Sequence, residues 1–458
     1  MKSCKFAVDL MNFVMEEMIF KRKAYDKLKE WKDRSKGASA MMIEGARRIG
    51  KSTLVETFAR KEYKTCIIID FNNVTEELMS WFDAMVDLDF FFLRLQGYYH
   101  VKLHPRNSVI VFDEVQQCPK ARQAIKYLVA DGRYDYIETG SLISIQQNTR
   151  GITLPSEEEV IEMFPMDFEE FLWALGDEVT IPLLQQFYDK RIPLAIAHRE
   201  NQRMLRLYML VGGMPQAVKT YIKTNNLQDV DKIKRQIIRL YEIDFIKIDP
   251  SKQISKLFYH IPAALSKNQS RYTPFSVIGR TDSRQLSEML IALEDSKVVN
   301  IAYHADDPNV GFSLSADLNR YKLFMGDTGL FVTLVYWDKD YTENVIYQKL
   351  LSDKLDANLG YVYENLVAQM LRASGNKLFY YTFPKDLKHN YEIDFLISHG
   401  NKISPIEVKS GDYRKYESLK TFANKYSSRV GQSYILHTKD LVKEENVLCL
   451  PMYMTGLL

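Results

Sequence analysis

Four cysteines in 458 residues, Cys4, Cys66, Cys118 and Cys449, stand far apart and form no Cys-x-x-Cys pair. That scarcity excludes a disulfide framework and a zinc ribbon, and it suits a reducing compartment. No run of about 20 uncharged apolar residues occurs, so no membrane span is expected. An excess of one charge is lacking too: 61 Lys and Arg against 59 Asp and Glu leave a formal charge of +2. A chain so balanced has no global attraction for polyanions, and any nucleic-acid surface must be a local patch. The apolar start is broken by Lys2, Lys5, Asp9, Glu16 and Glu17 and lacks the pattern of a signal peptide. These absences predict a soluble, cytoplasmic protein. Internal repeats and long low-complexity segments are also missing.

What is present begins with Gly45-Ala46-Arg47-Arg48-Ile49-Gly50-Lys51-Ser52, which fits G-x-x-x-x-G-K-[ST], a Walker A loop. The apolar run 40–43 predicts a strand before it, and Thr53 opens a helical run to Ala59. Gly45 and Gly50 let backbone N–H groups turn toward phosphate oxygens. Lys51 is expected to reach the β- and γ-phosphates, Ser52 to hold Mg²⁺, and the helix start to favour negative charge. The nucleotide-binding set is therefore Gly45, Arg47, Arg48, Gly50, Lys51, Ser52, Thr53 and Asp113, with ATP and Mg²⁺ as ligands. Four apolar residues followed by Asp113-Glu114 form a Walker B pattern. Asp113 is expected at the metal and Glu114 as the catalytic carboxylate that polarises water, with Lys51 on the phosphates. Thr139-Gly140-Ser141, after the next strand, could orient that water. No arginine finger follows from spacing; Arg150 is a candidate.

At this length about two to four domains are expected. Strands over 66–71, 108–114 and 134–139 alternate with helices over 79–95 and 121–130. This predicts a parallel α/β sheet covered by helices on both faces. Residues 167–260 read as mostly helical. A helix near 283–296, an apolar strand over 297–303 and a polar loop then follow in winged-helix order. There Arg271, Arg280 and Arg284 could meet nucleic acid, or serve a packing module instead.

From 360 onward short strands and helices alternate. Glu407-Val408-Lys409 puts Glu407 and Lys409 on one face of a strand, and Asp394 lies on a neighbouring apolar run beside Glu392. With Glu364 on the preceding helix, this set resembles the PD-(D/E)xK nuclease arrangement. That resemblance implies Asp394, Glu407 and Lys409 as catalytic residues and Asp394 and Glu407 as metal ligands. A folded but catalytically silent nuclease-like domain is the alternative.

Beyond the Walker motifs, Phe164-Pro165-Met166-Asp167-Phe168, Gly212-Gly213-Met214-Pro215 and Gly326-Asp327-Thr328-Gly329-Leu330 resemble the bacterial and archaeal AAA-type ATPases that carry a C-terminal domain of unknown function. Where that family has Ala-Gly-Arg, this chain has Thr149-Arg150-Gly151 and then an acidic insert, Glu157-Glu158-Glu159. The resemblance implies an ATPase domain over 1–175, a helical region over 176–265, a winged-helix-like domain over 266–340 and a nuclease-like domain over 341–458. Three functions are then expected: an ATP-driven switch coupled to DNA or RNA, an ATP-gated metal-dependent nuclease, or a signalling ATPase acting on a protein partner. Homo-oligomers are compatible with each.

Overall fold

The computed structural model describes residues 18–83, 85, 87–140, 156–267, 270–352, 360–444 and 446–458. Cys4, Ser141 and Arg150 lie outside them. The first layer is a five-stranded, all-parallel sheet of β1 (Ala40–Glu44), β2 (Thr65–Asp70), β3 (Ser108–Asp113), β4 (Asp135–Gly140) and β5 (Glu158–Glu162), in the order β2-β3-β4-β1-β5. Side chains alternate strictly. Met41, Ile43, Val109, Val111 and Ile137 face one core, while Ala40, Met42, Ile110, Phe112 and Tyr136 face the other. Helix α1 (Lys23–Ser35) and α2 (Lys51–Glu62) cover the first face; α3 (Glu76–Ser80), α4 (Leu88–Tyr99) and α5 (Pro119–Asp131) cover the second.

Two local expectations change. The helix read over 79–95 is two helices, because Asp87 caps a new one: its Oδ1 accepts N–H bonds from Asp89 and Phe90. The acidic insert contributes Glu158 and Glu159 to an edge strand, β5, in parallel register with β1. Its charges are matched: Glu158 pairs with Arg122, Glu159 with Arg34, and Glu162 with both Arg372 and Lys297.

Helices α6 (Phe168–Ala174), α7 (Thr180–Lys190), α8 (Ile196–Val211), α9 (Pro215–Thr224), α10 (Leu227–Ile248), α11 (Gln253–Tyr259), α12 (Ile261–Ser266), α13 (Phe275–Ile278) and α14 (Ser283–Asp295) follow. A hairpin of β6 (Val299–Ala305) and β7 (Ala316–Met325) leads to α15 (Thr328–Val335), α16 (Asn344–Leu351) and α17 (Gly360–Ala373). The remaining elements are β8 (Phe379–Pro384), β9 (Asn390–His399), β10 (Lys402–Lys409), α18 (Glu417–Lys425), β11 (Ser433–His437), β12 (Val442–Glu444) and β13 (Val447–Pro451). They complete an eight-stranded mixed sheet, β12-β13-β11-β10-β9-β8-β6-β7. Because β6 pairs with β8, the hairpin and the last hundred residues share one sheet across residue 340. No described helix is long and apolar enough to cross a membrane.

Candidate nucleotide site

Gly45 and Gly50 have φ of +153° and +93°, in the region L side chains rarely adopt. A Cβ at Gly45 would lie 2.3 Å from the Met163 carbonyl oxygen, so only glycine passes this point. Arg48 also takes a left-handed conformation, at φ +70°. The loop so formed ends at the start of α2, on the carboxyl side of β1.

Lys51 is buried and donates to the carbonyls of Gly45 at 3.0 Å and Ala46 at 2.9 Å. Burial pushes its ammonium down to about 8, against the opposing pull of Glu114 and Asp113. Ser52 Oγ donates to Asp113 Oδ1 at 2.9 Å, and Thr139 Oγ1 bonds the same oxygen. Thr139 Oγ1 also accepts from the Glu114 N–H at 3.3 Å. Glu114 itself sits at φ +56° and bonds the Gln116 amide. Strain of this kind, at about 1–3 kcal/mol, persists where surrounding structure enforces it and clusters at functional sites.

The two Walker segments therefore meet: Ser52, Asp113, Glu114 and Thr139 converge beside Lys51. The set fits a magnesium nucleotide, since a hydroxyl and a carboxylate already share one point and, among the described residues, the buried cation's hydrogen bonds go to loop carbonyls. Next to them lies a cleft of about 870 Å³, lined by Phe20, Tyr25, Arg48, Lys51, Ser52, Glu114, Pro215, Gln216 and Lys219 among others. Its walls thus come from the segment before α1 and from α9 as well as from the loop.

Several partners of the loop carry no motif. Arg22, buried, donates to the carbonyls of Ile49 at 2.8 Å and Phe164 at 2.7 Å and pairs with Glu170 at 3.1 Å. Tyr241 donates to the Arg47 carbonyl at 2.8 Å, and Asp244 pairs with the Arg47 guanidinium at 3.1 Å. Both belong to α10. Only a charged or polar face on a predicted helix signalled them.

Residues 38–172 match the model of an AAA domain. This part of the chain is an AAA-type ATPase domain. Residues 202–341 and 359–454 match two domains of unknown function, DUF8612 and DUF4143. No curated protein matches the chain. Among solved structures, a Walker-type ATPase of Pyrococcus abyssi is 15% identical with a TM-score of 0.40, covering 70% of this chain and 97% of its own. The Thermotoga maritima RuvB Holliday junction branch migration motor is 13% identical with a TM-score of 0.25, covering 61% and 89%. Cdc6p of Pyrobaculum aerophilum is 13% identical with a TM-score of 0.22, covering 72% and 92%.

The glycine motifs downstream of the ATPase domain also meet. The Gly213 N–H donates to Asp327 Oδ2 at 2.6 Å, and a Cβ on Gly329 would lie 2.5 Å from the Gly212 Cα. Tyr208 donates to the Met166 carbonyl at 2.8 Å, Gln369 donates to Tyr208 at 2.8 Å and in turn accepts from Thr328.

The C-terminal carboxylates form a second cluster. Asp394 Oδ2 accepts the Val408 N–H at 2.7 Å, and Glu407 pairs with Lys409 at 3.0 Å. Glu364 and Glu392 both bind Lys322, on β7. Burial, helped by Glu364, Glu407 and Glu392, pushes the Asp394 carboxyl up to about 8. Among the described residues no group of three or more His, Cys, Asp or Glu side chains is arranged to hold a metal ion. Arg284 pairs with Glu288 on the exposed face of α14, whose other face buries Met289, Leu290 and Leu293.

Proposed function

We propose that the chain is an ATP-driven switch whose hydrolytic site moves the helical and C-terminal parts, with nucleic acid as the cargo. In this reading Lys51 exchanges its two loop carbonyls for β- and γ-phosphate oxygens, while Ser52 and Asp113 hold Mg²⁺. The metal supplies neutralisation of charge on the phosphoryl oxygens. Glu114 polarises the attacking water, and Thr139 keeps Asp113 and Glu114 in register. The observation that carries the switch is the grip of Tyr241 and Asp244 on Arg47. A loop that reshapes around a triphosphate pulls on α10, and α10 is bonded to α15 through Lys234, which donates to the Gly329 carbonyl at 3.1 Å.

Turnover tests the first half. Lys51→Ala should abolish nucleotide binding, whereas Glu114→Gln should bind ATP and lose hydrolysis by about 100-fold or more. Equal turnover in all three proteins would refute the site. Labelled DNA and RNA at low salt, with and without ATP, test the cargo, because phosphate contacts are strongest there. One observation favours a protein partner as the second reading. The hairpin that would serve as the wing carries Asp306, Asp307 and Asp317, and its nearby Arg320 and Arg429 are paired with the first two. Absence of any nucleic-acid binding at low salt would favour that reading.

A further inference from the structure

The nuclease-like cluster contains a cation of its own. Lys322 lies on β7, beyond the segment that carries the Asp, Glu-x-Lys set, and the sheet brings it under the carboxylates through β6 and β8. Its Nζ stands 2.9 Å from Glu364 Oε1 and 2.6 Å from Glu392 Oε1, with its side chain 6% exposed and the Tyr380 ring 5.6 Å away. The other lysine, Lys409, is spent on Glu407. Asp394, the remaining acid, uses one oxygen on the β10 backbone. Glu364 and Glu392 thus answer to Lys322 and one Asp394 oxygen to the main chain, while Glu407 is ion-paired with Lys409, although neither of its buried oxygens has a hydrogen-bond partner among the described residues. A divalent ion and a buried ammonium compete for the same oxygens, and like charges at such separations repel strongly where water is scarce. Hard dications need several free oxygens converging on one point. Here Glu364 and Glu392 converge on nitrogen instead.

We propose that Lys322 takes the place of the metal in this cluster, so that the nuclease-like fold is catalytically silent and serves as an electrostatic joint. Lys322 ties the hairpin (β7) to helix α17 through Glu364 and to strand β9 through Glu392. The joint fixes the orientation of the hairpin against the last domain without a cofactor whose supply could vary. It is independent of the ATPase reading, since none of these residues lines the nucleotide cleft.

Mn²⁺ electron paramagnetic resonance on the full chain without nucleotide tests it, alongside incubation with DNA and RNA. The wild type should leave the free Mn²⁺ signal as Asp394→Asn does, and should cut neither polymer. The double variant Lys322→Met/Glu392→Gln removes the cation and one matched charge together. It should bind about one additional Mn²⁺, and a further Asp394→Asn should abolish that binding. Lys322→Arg, which keeps the cation, should bind none. Wild-type Mn²⁺ uptake that Asp394→Asn removes, or metal-dependent cleavage lost in Asp394→Asn, would overturn the proposal whether or not the double variant folds. A double variant that keeps the wild-type circular dichroism and still takes up no Mn²⁺ would also overturn it.

Discussion

Lys51 shows how one side chain sets the chemistry of its loop. Its ordinary value is 10.5, and burial lowers it to about 8. A triphosphate favours the charged form, so occupancy must raise that value again. Nucleotide binding should therefore take up a proton between pH 8 and about 10, and affinity should fall as pH rises through that window. Calorimetry at about pH 9 in two buffers of different ionisation enthalpy reads the uptake directly, and a buffer-independent heat would contradict it. Arg22 makes a second prediction at this scale. Removing it leaves Glu170, 4% exposed, as a charge without its arginine, and two carbonyls lose their donor. Arg22→Ala should cost about 3–5 kcal/mol, read as a drop in the thermal midpoint. Weakened ATP binding should accompany it, because Ile49 in the Walker A loop would be released. Nothing in the sequence distinguishes Arg22 from its basic neighbours. Its importance comes from meeting carbonyls 27 and 142 residues away.

At the scale of elements, the parallel sheet and its two acidic and glycine loops were legible because each is a local signal. A strand, a turn and a helix lie in one stretch of chain, and the continuous apolar runs of β1 and β3 need no distant partner to be read. Strand β5 was not legible, since three of its five residues are glutamates whose arginine partners come from α1, α5 and α17. The Asp394, Glu407, Lys409 pattern was readable for the same local reason as the Walker loop, while Lys322 was not, because only pairing through β6 and β8 brings it there. The long helix α10 carries a comparable hidden centre. Asp231, buried, accepts from Arg235 at 2.8 Å, Thr333 at 3.0 Å, the Thr342 N–H at 2.9 Å and Tyr347 at 2.6 Å. One carboxylate thus fastens α10 to α15, to the turn after it and to α16. Asp231→Ala should cost about 3–5 kcal/mol and strand four donors. Limited proteolysis should then cut near residues 336–352 before the ATPase domain; an unchanged digestion pattern would contradict this.

Over the whole molecule, a single apolar core runs from Ala24 and Phe58 under the five-stranded sheet, through Tyr208, Ile238 and Phe331, to Ile406 and Met454 under the eight-stranded one. Parts that share a core gain their burial together, and separating them exposes apolar surface on both sides. The chain should therefore melt in one transition that tyrosine fluorescence and far-ultraviolet dichroism report at the same temperature. Two resolved transitions, one of them sensitive to ATP, would show that the ATPase domain unfolds alone. The residue just before the glycine-rich turn, Glu44, is tied to Lys297 at 3.6 Å, and Lys297 also holds Glu162 at 3.0 Å on the neighbouring edge strand. Lys297 stands at the root of the hairpin. Two tethers so leave the turn, one from Arg47 to α10 and one from Glu44 to the root of the hairpin, and a turn that reshaped around a ligand would load both of them together.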